Sequence, residues 1–97
     1  MPQPPYPTLA ISCGRATVPA SVALRAASGH RTLTVHVQRP LCSAAEFDLV
    51  IAPRHDYLQD SSVPANVLLT DGSLHSIDAA ALEAAREAWE PRLAALP

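Results

Sequence analysis

The apolar run Leu49-Val50-Ile51-Ala52 constrains this chain more than any other stretch. It is led in by Asp48, stopped by Pro53 and followed by the ionisable group Arg54, His55 and Asp56. A run this short, with β-branched residues at its centre, predicts a strand buried on both faces. Strands of that kind belong to parallel sheets in α/β domains, which present functional groups just beyond their carboxyl ends. Function is therefore to be sought in the loops that leave the strands at those ends.

Three further strands and two helices surround this run. Residues 1–7 hold four prolines and predict an extended arm or linker. Thr8 to Cys13 reads as a first buried strand ended by Gly14. A helix follows, with Thr17 as N-cap, Pro19 in the first turn and Gly29 as the stop. Arg31 to Gln38 alternates strictly and is rich in β-branched residues, which gives a second strand closed by Pro40. Ser43-Ala44-Ala45-Glu46 has the form of a capping box and predicts one helical turn before the Asp48–Ala52 strand. Residues 53–65 read as a surface loop, and Asn66 to Thr70 as a fourth strand before the Asp71-Gly72 turn.

Asp78 then caps a last helix running to about Ala95, with the apolar stripe Leu82, Ala85, Trp89, Leu93 and Leu96. Trp89 reads as a core anchor, and Pro91 predicts a kink or break near Glu90. This order of elements predicts an α/β fold with an open, mostly parallel sheet and flanking helices.

Composition narrows the function classes. Hydrophobic residues make up 48% of the chain, too many for a disordered segment. Much of that is alanine, and only Tyr6, Phe47, Tyr57 and Trp89 are aromatic, so a covering helix or second domain is expected outside these residues. The net charge of −2 argues against a nucleic-acid partner. All seven basic residues are arginine, and the absence of lysine excludes Schiff-base chemistry by this segment. Cys13 and Cys42 have no metal or disulfide spacing and fit a reducing, cytoplasmic compartment as ordinary thiols. No stretch is long and apolar enough to span a membrane.

With all strands parallel, four loops gather at one edge of the sheet. They carry Cys13, Gly14, Arg15 and Thr17; Gln38 and Arg39; Arg54, His55 and Asp56; and Thr70, Asp71, Gly72 and His75. Gly14 before a helix could bring backbone N–H groups to a phosphate, but a single glycine fits a plain strand-to-helix turn better than a dinucleotide or P-loop motif. Arg15 could hold a phosphate or carboxylate by a bidentate bond. His55 and Asp56 are adjacent, so an extended backbone would turn them apart. A metal would need a third ligand from His75 or His36, and no metal or cofactor site is assigned. His75 could act as a general base, with no nucleophile identifiable beside it. Cys13 reads as a buried, inert thiol at a strand end.

Several of these stretches together resemble a known family. They are Ile11-Ser12-Cys13-Gly14-Arg15 with Val18-Pro19, and Val35-His36-Val37-Gln38 with Pro40. The strongest likeness is Phe47 to Pro53, His55-Asp56, Asn66-Val67-Leu68, Gly72 and His75, followed by the Trp89 helix. Residues 8–97 resemble the ELM family of bacteria and plants, whose members are called mitochondrial fission proteins. Arg39 departs from the family's Gln-Asp-Pro pattern, and Asp71 and Ser76 fall where arginine is common.

The resemblance implies a glycosyltransferase-B-like protein of two Rossmann-like halves with a cleft between them. Residues 8–97 would be part of the N-terminal half, and the C-terminal domain would lie outside this chain. A nucleotide-activated sugar is the implied ligand, bound mainly by that other half. His55 and His75 are then the candidate catalytic residues, and Gly14, Arg15, Gln38, Asp56 and Gly72 the substrate-binding ones. The alternatives are a non-catalytic interaction module in membrane or envelope dynamics, or a truncated remnant.

Overall fold

The computed structural model describes residues 1–97. Its elements are β1 (Leu9–Cys13), α1 (Val18–Ala27), β2 (Leu33–Val37), β3 (Leu49–Pro53), β4 (Val67–Thr70) and α2 (Ala79–Ala94). Short 3₁₀ turns at Arg15–Thr17, Ala44–Glu46 and Arg54–Tyr57 follow or precede the strands. All three strand pairings are parallel and the sheet order is β1-β2-β3-β4, an α/β, Rossmann-like arrangement.

Because the order follows the chain, right-handed crossovers put every connection on the same face. That face carries the core: Phe47, Val50, Ala52 and Tyr57, with Val18 and Val22 of α1 and Val67 and Leu69 of β4 packed against them. The opposite face is bare. The register aligns Leu9 with Leu33, Ile11 with Val35 and Leu49, and Cys13 with Val37, Ile51 and Leu68. Of these, Leu9, Ile11, Leu33 and Leu68 are exposed. Two expectations are corrected here. β1 is an edge strand exposed on one side rather than a buried one, and β3 buries Val50, Ala52 and Pro53 but leaves Leu49 and Ile51 partly exposed. Nothing in this chain covers the second face, which is what full burial would require.

Polar clamps support this thin core. Asp48 accepts a 2.8 Å bond from the Thr34 N–H and a 3.3 Å bond from its hydroxyl, adding one rung to the β2–β3 ladder. Arg25 of α1 reaches the same carboxylate at 3.4 Å and the Ala45 carbonyl at 2.9 Å. The Thr34 N–H, with Arg25 assisting, holds the Asp48 carboxyl below the usual range. His36 lies within the covered face at 1% exposure, its Nδ1 2.8 Å from Ser12 Oγ and its ring 4.9 Å from that of Phe47. Burial pushes its pKa down.

Helix ends follow local chemistry. α1 closes with Gly29 at φ 63 and His30 at φ 65, the His30 N–H donating to the Arg25 carbonyl at 2.9 Å and the Gly29 N–H to Ala26 at 3.1 Å. This is the double bond of a Schellman stop. Thr17 occupies the N-cap position of α1, but its hydroxyl donates to the Cys13 and Gly14 carbonyls instead of accepting from the helix. The Arg15–Thr17 turn causes this, since it places those carbonyls within reach first. Asp78 caps α2 as its sequence predicts, accepting from the Ala81 N–H at 2.8 Å.

α2 departs from expectation in two ways. It runs unbroken through Pro91. It also buries none of its residues, so Trp89, 54% exposed, is not a core anchor; its ring instead carries the Arg92 guanidinium at 5.0 Å. The radius of gyration is 18.4 Å, against about 13 Å for a compact chain of this length. No helix is long and apolar enough to cross a membrane.

Two predictions test the clamps. Asp48→Ala strands the buried Thr34 N–H and is expected to cost about 1–3 kcal/mol in urea unfolding. His36 titrates the fold: burial means the folded chain binds this proton less tightly than the unfolded one. Its contribution is complete above the unfolded histidine pKa of about 6.5 and is lost as pH falls below it. His36→Phe is expected to flatten that slope between about pH 7 and 5, whatever it does to absolute stability.

Candidate functional site

Parallel pairing brings the ends of all four strands to one edge. Cys13, Val37, Ile51 and Leu68 are aligned across the sheet, so Gly14 and Gln38 leave β1 and β2 side by side. Both carry unusual backbone. Gly14 sits at φ 86, ψ 161, a region open essentially to glycine alone. A Cβ there would meet nothing within 4 Å, so glycine is required by the dihedral and not by crowding. Gln38 is at φ 87 although it has a side chain, and its N–H donates to the Ile51 carbonyl at 2.7 Å. That bond continues the β2–β3 ladder past the Val37–Ile51 pair, and the Gln38 side chain is exposed.

Sequence alone does not reveal the positive φ at Gln38, since a glutamine carries no local signal for it. Gly72 has no such conformation. Its carbonyl simply accepts a bond from the Thr70 hydroxyl. Arg15 is exposed at the start of the turn into α1. Cys13 is exposed rather than buried, since its strand is at the edge and it lies on the bare side.

The segment after β3 is not a plain surface loop. Arg54–Tyr57 forms a 3₁₀ turn and drives Tyr57 into the core. The same turn brings His55 Nε2 to 3.5 Å from Asp56 Oδ1, a meeting that an extended backbone would forbid. No hydrogen bond accompanies this ion-pair contact, and the His55 ring is exposed. His75 is arranged differently. Its Nδ1 accepts from the Ile77 N–H at 3.0 Å, so the neutral ring carries its proton on Nε2 and presents a donor. No hydrogen bond or ion pair joins the two histidines, while Arg54 and Asp71 link their loops at 3.5 Å.

Arg39, which the sequence places merely in the loop after β2, proves to be an organiser. Its guanidinium forks onto Asp60 at 3.1 and 2.9 Å, donates to the Asp56 carbonyl and lies 4.2 Å over the Tyr57 ring. Burial pushes the Tyr57 phenol up. Arg39 thus ties the end of β2 to the turn that carries His55. Its partners lie seventeen and twenty-one residues away in the chain, which no local pattern signals.

Two hollows flank this arrangement. One of about 60 Å³ lies at the strand ends between Cys13, Gln38, Pro53, Thr70 and Ser73. Another of about 240 Å³ lies beside Arg39, Cys42, Tyr57 and Asp60. Both fall below the roughly 300 Å³ at which small-molecule pockets begin. No three His, Cys, Asp or Glu side chains gather at metal-binding distance. In particular, His36 is held in the core with Ser12 and Phe47, away from His55 and His75.

The family model described as Mitochondrial fission ELM1 matches residues 1–97. The chain belongs to the ELM family. It is 34% identical over 110 residues to the Mitochondrial fission protein ELM1 of Arabidopsis thaliana, an alignment covering 94% of this chain. The chain spans only 26% of that relative's length. No solved structure matches it.

The strained position offers a direct test. Gln38→Gly is expected to stabilise the fold by about 0.5–1 kcal/mol, since glycine accepts the left-handed dihedral without a Cβ. Gly14→Ala is expected to destabilise it by about 1–3 kcal/mol, both read from the midpoint of denaturant unfolding.

Proposed function

We propose that the carboxyl edge of the sheet is one wall of a nucleotide-sugar cleft in a glycosyltransferase-B-like protein of the ELM family. The observation that carries this reading is the pair of left-handed positions, Gly14 and Gln38, side by side where β1 and β2 end. Backbone held in a sparsely populated region at a sheet's carboxyl edge is the sort of strain that ligand sites retain. The small hollow at the strand ends supports a wall rather than a whole pocket. So does the plant relative's length, of which this chain spans 26%.

In this reading residues 8–97 belong to an N-terminal half, and a second domain outside the chain holds most of the nucleotide. Gly14, Arg15, Gln38, Asp56 and Gly72 line the acceptor side. His55, beside Asp56, takes the acceptor proton, and His75 donates from Nε2 to developing negative charge. The setting is cytoplasmic and reducing, which accommodates exposed Cys13 and Cys42 as thiols.

A non-catalytic interaction module in membrane or envelope dynamics is the second reading. The exposure of both histidines and the relative's name, a mitochondrial fission protein, favour it.

The test is a titration of UDP- and GDP-sugars into the full-length protein that contains this chain. Amide resonances of Gly14, Arg15 and Gln38 are expected to shift. His55→Ala is expected to lower turnover by about 10²–10⁴-fold with binding nearly unchanged. Absence of binding to any nucleotide sugar, together with full cellular function of His55→Ala and His75→Ala, would reject the enzyme and leave the interaction module.

A further inference from the structure

The Arg39 guanidinium carries five N–H donors in a rigid plane. Three are engaged: both Nη1 hydrogens, on the Asp56 carbonyl and Asp60 Oδ1, and one Nη2 hydrogen on Asp60 Oδ2. The Nε–H and the second Nη2–H remain. These two point the same way and are spaced to meet two oxygens of one planar group, so a whole second fork is unfilled. Tyr57 supplies an independent observation. It is only 7% exposed, yet its hydroxyl bonds to no group of the chain. A hydroxyl taken that far out of water is costly to leave unpaired. Burial raises its pKa, so the phenol stays protonated and can donate. Arg39 stacks on the same ring at 4.2 Å, which places the unfilled fork and the hydroxyl beside one hollow of about 240 Å³. Pro40, Ala44 and Pro64 form its apolar walls, and the exposed Cys42 thiol opens on it. Every one of these residues lies between β2 and β4, so the hollow is built by segments internal to the chain.

We propose that this hollow binds a small monocarboxylate, its two oxygens on the free fork of Arg39, the Tyr57 hydroxyl donating to one of them, and a short apolar body between the prolines. The charge balance selects a monoanion. Asp60, 2.9 Å from Nη2, already neutralises the guanidinium, so nothing is left to offset the second charge of a phosphate dianion. The fork selects a carboxylate over its amide, because two parallel N–H donors need two acceptor oxygens and a carboxamide offers one. Size excludes a nucleotide, since the hollow is smaller than the roughly 300 Å³ at which pockets for larger ligands begin. The site is therefore separate from the strand-end cleft, and neither reading depends on the other.

The experiment is protection of Cys42 from iodoacetamide in the full-length protein that contains this chain, read by peptide mass. Cys13 is the internal reference, being exposed but outside this hollow. The probes are isovalerate, isovaleramide and inorganic phosphate, each from about 0.1 to 20 mM, around the millimolar dissociation constant of a small, weak ligand. Isovalerate is expected to slow alkylation of Cys42 saturably and to leave Cys13 unchanged. The amide and phosphate are expected to protect neither. Tyr57→Phe keeps the ring under Arg39 and is expected to raise the half-protecting concentration of isovalerate about tenfold. Arg39→Lys keeps the charge without the fork and is expected to abolish protection. A Cys42 that does not react in the ligand-free protein overturns the proposal, because the hollow is then covered. So does a failure of isovalerate to protect, or equal protection by isovaleramide or phosphate. An unchanged half-protecting concentration in Tyr57→Phe overturns it as well, even if Arg39→Lys does not fold.

Discussion

Four parallel strands laid down in chain order commit every right-handed crossover to one side of the sheet. Most of the structure descends from that constraint. One face receives α1, Phe47 and Tyr57 and becomes the core; the other receives nothing and stays apolar and open. The same winding sends every strand's carboxyl end to one edge, so Gly14, Gln38, His55 and His75 leave the sheet together although they are spread over much of the chain.

A core on one side is thin, and its composition reflects this. The buried polar side chains Ser21, Ser28, Thr32, Thr34 and His36 nearly match the buried apolar ones in number. Most are paired: Thr32 with Ser28 and the Pro7 carbonyl, Thr34 with Asp48, His36 with Ser12. Such bonds add modest net stability each, but leaving any one unmade is costly, so together they select one register. Acid weakens the arrangement at two points, because Asp48 must stay ionised and His36 neutral.

The site draws on the same framework. Gln38 keeps its ladder bond to β3 while at positive φ, and the Arg39–Asp60 fork steadies the turn on which His55 meets Asp56. Arg39 spends its charge within the chain, on Asp60, the Asp56 carbonyl and the Tyr57 ring. That leaves Arg15 as the exposed cation beside Gly14.

Local chemistry is enough to read much of this from the sequence. The Leu49–Ala52 run, the alternation of Arg31 to Gln38, Gly29 as the helix stop, Asp78 as a cap and Ser43 before one turn each depend on neighbours within a few residues. The parallel α/β class comes from their order, and the family from the resemblance of several stretches taken together, which the family match bears out. Burial is another matter. Leu9, Ile11 and Trp89 are apolar at regular spacing, yet they lie exposed, because periodicity says which residues share a face and not whether anything covers it. Likewise, the exposure of Cys13, the strain at Gln38, the meeting of His55 with Asp56 and the grip of Arg39 on Asp60 arise from strand position, a 3₁₀ turn and contacts between distant residues. Sequence determines what each segment prefers within a few residues of itself; tertiary structure alone decides what each segment meets.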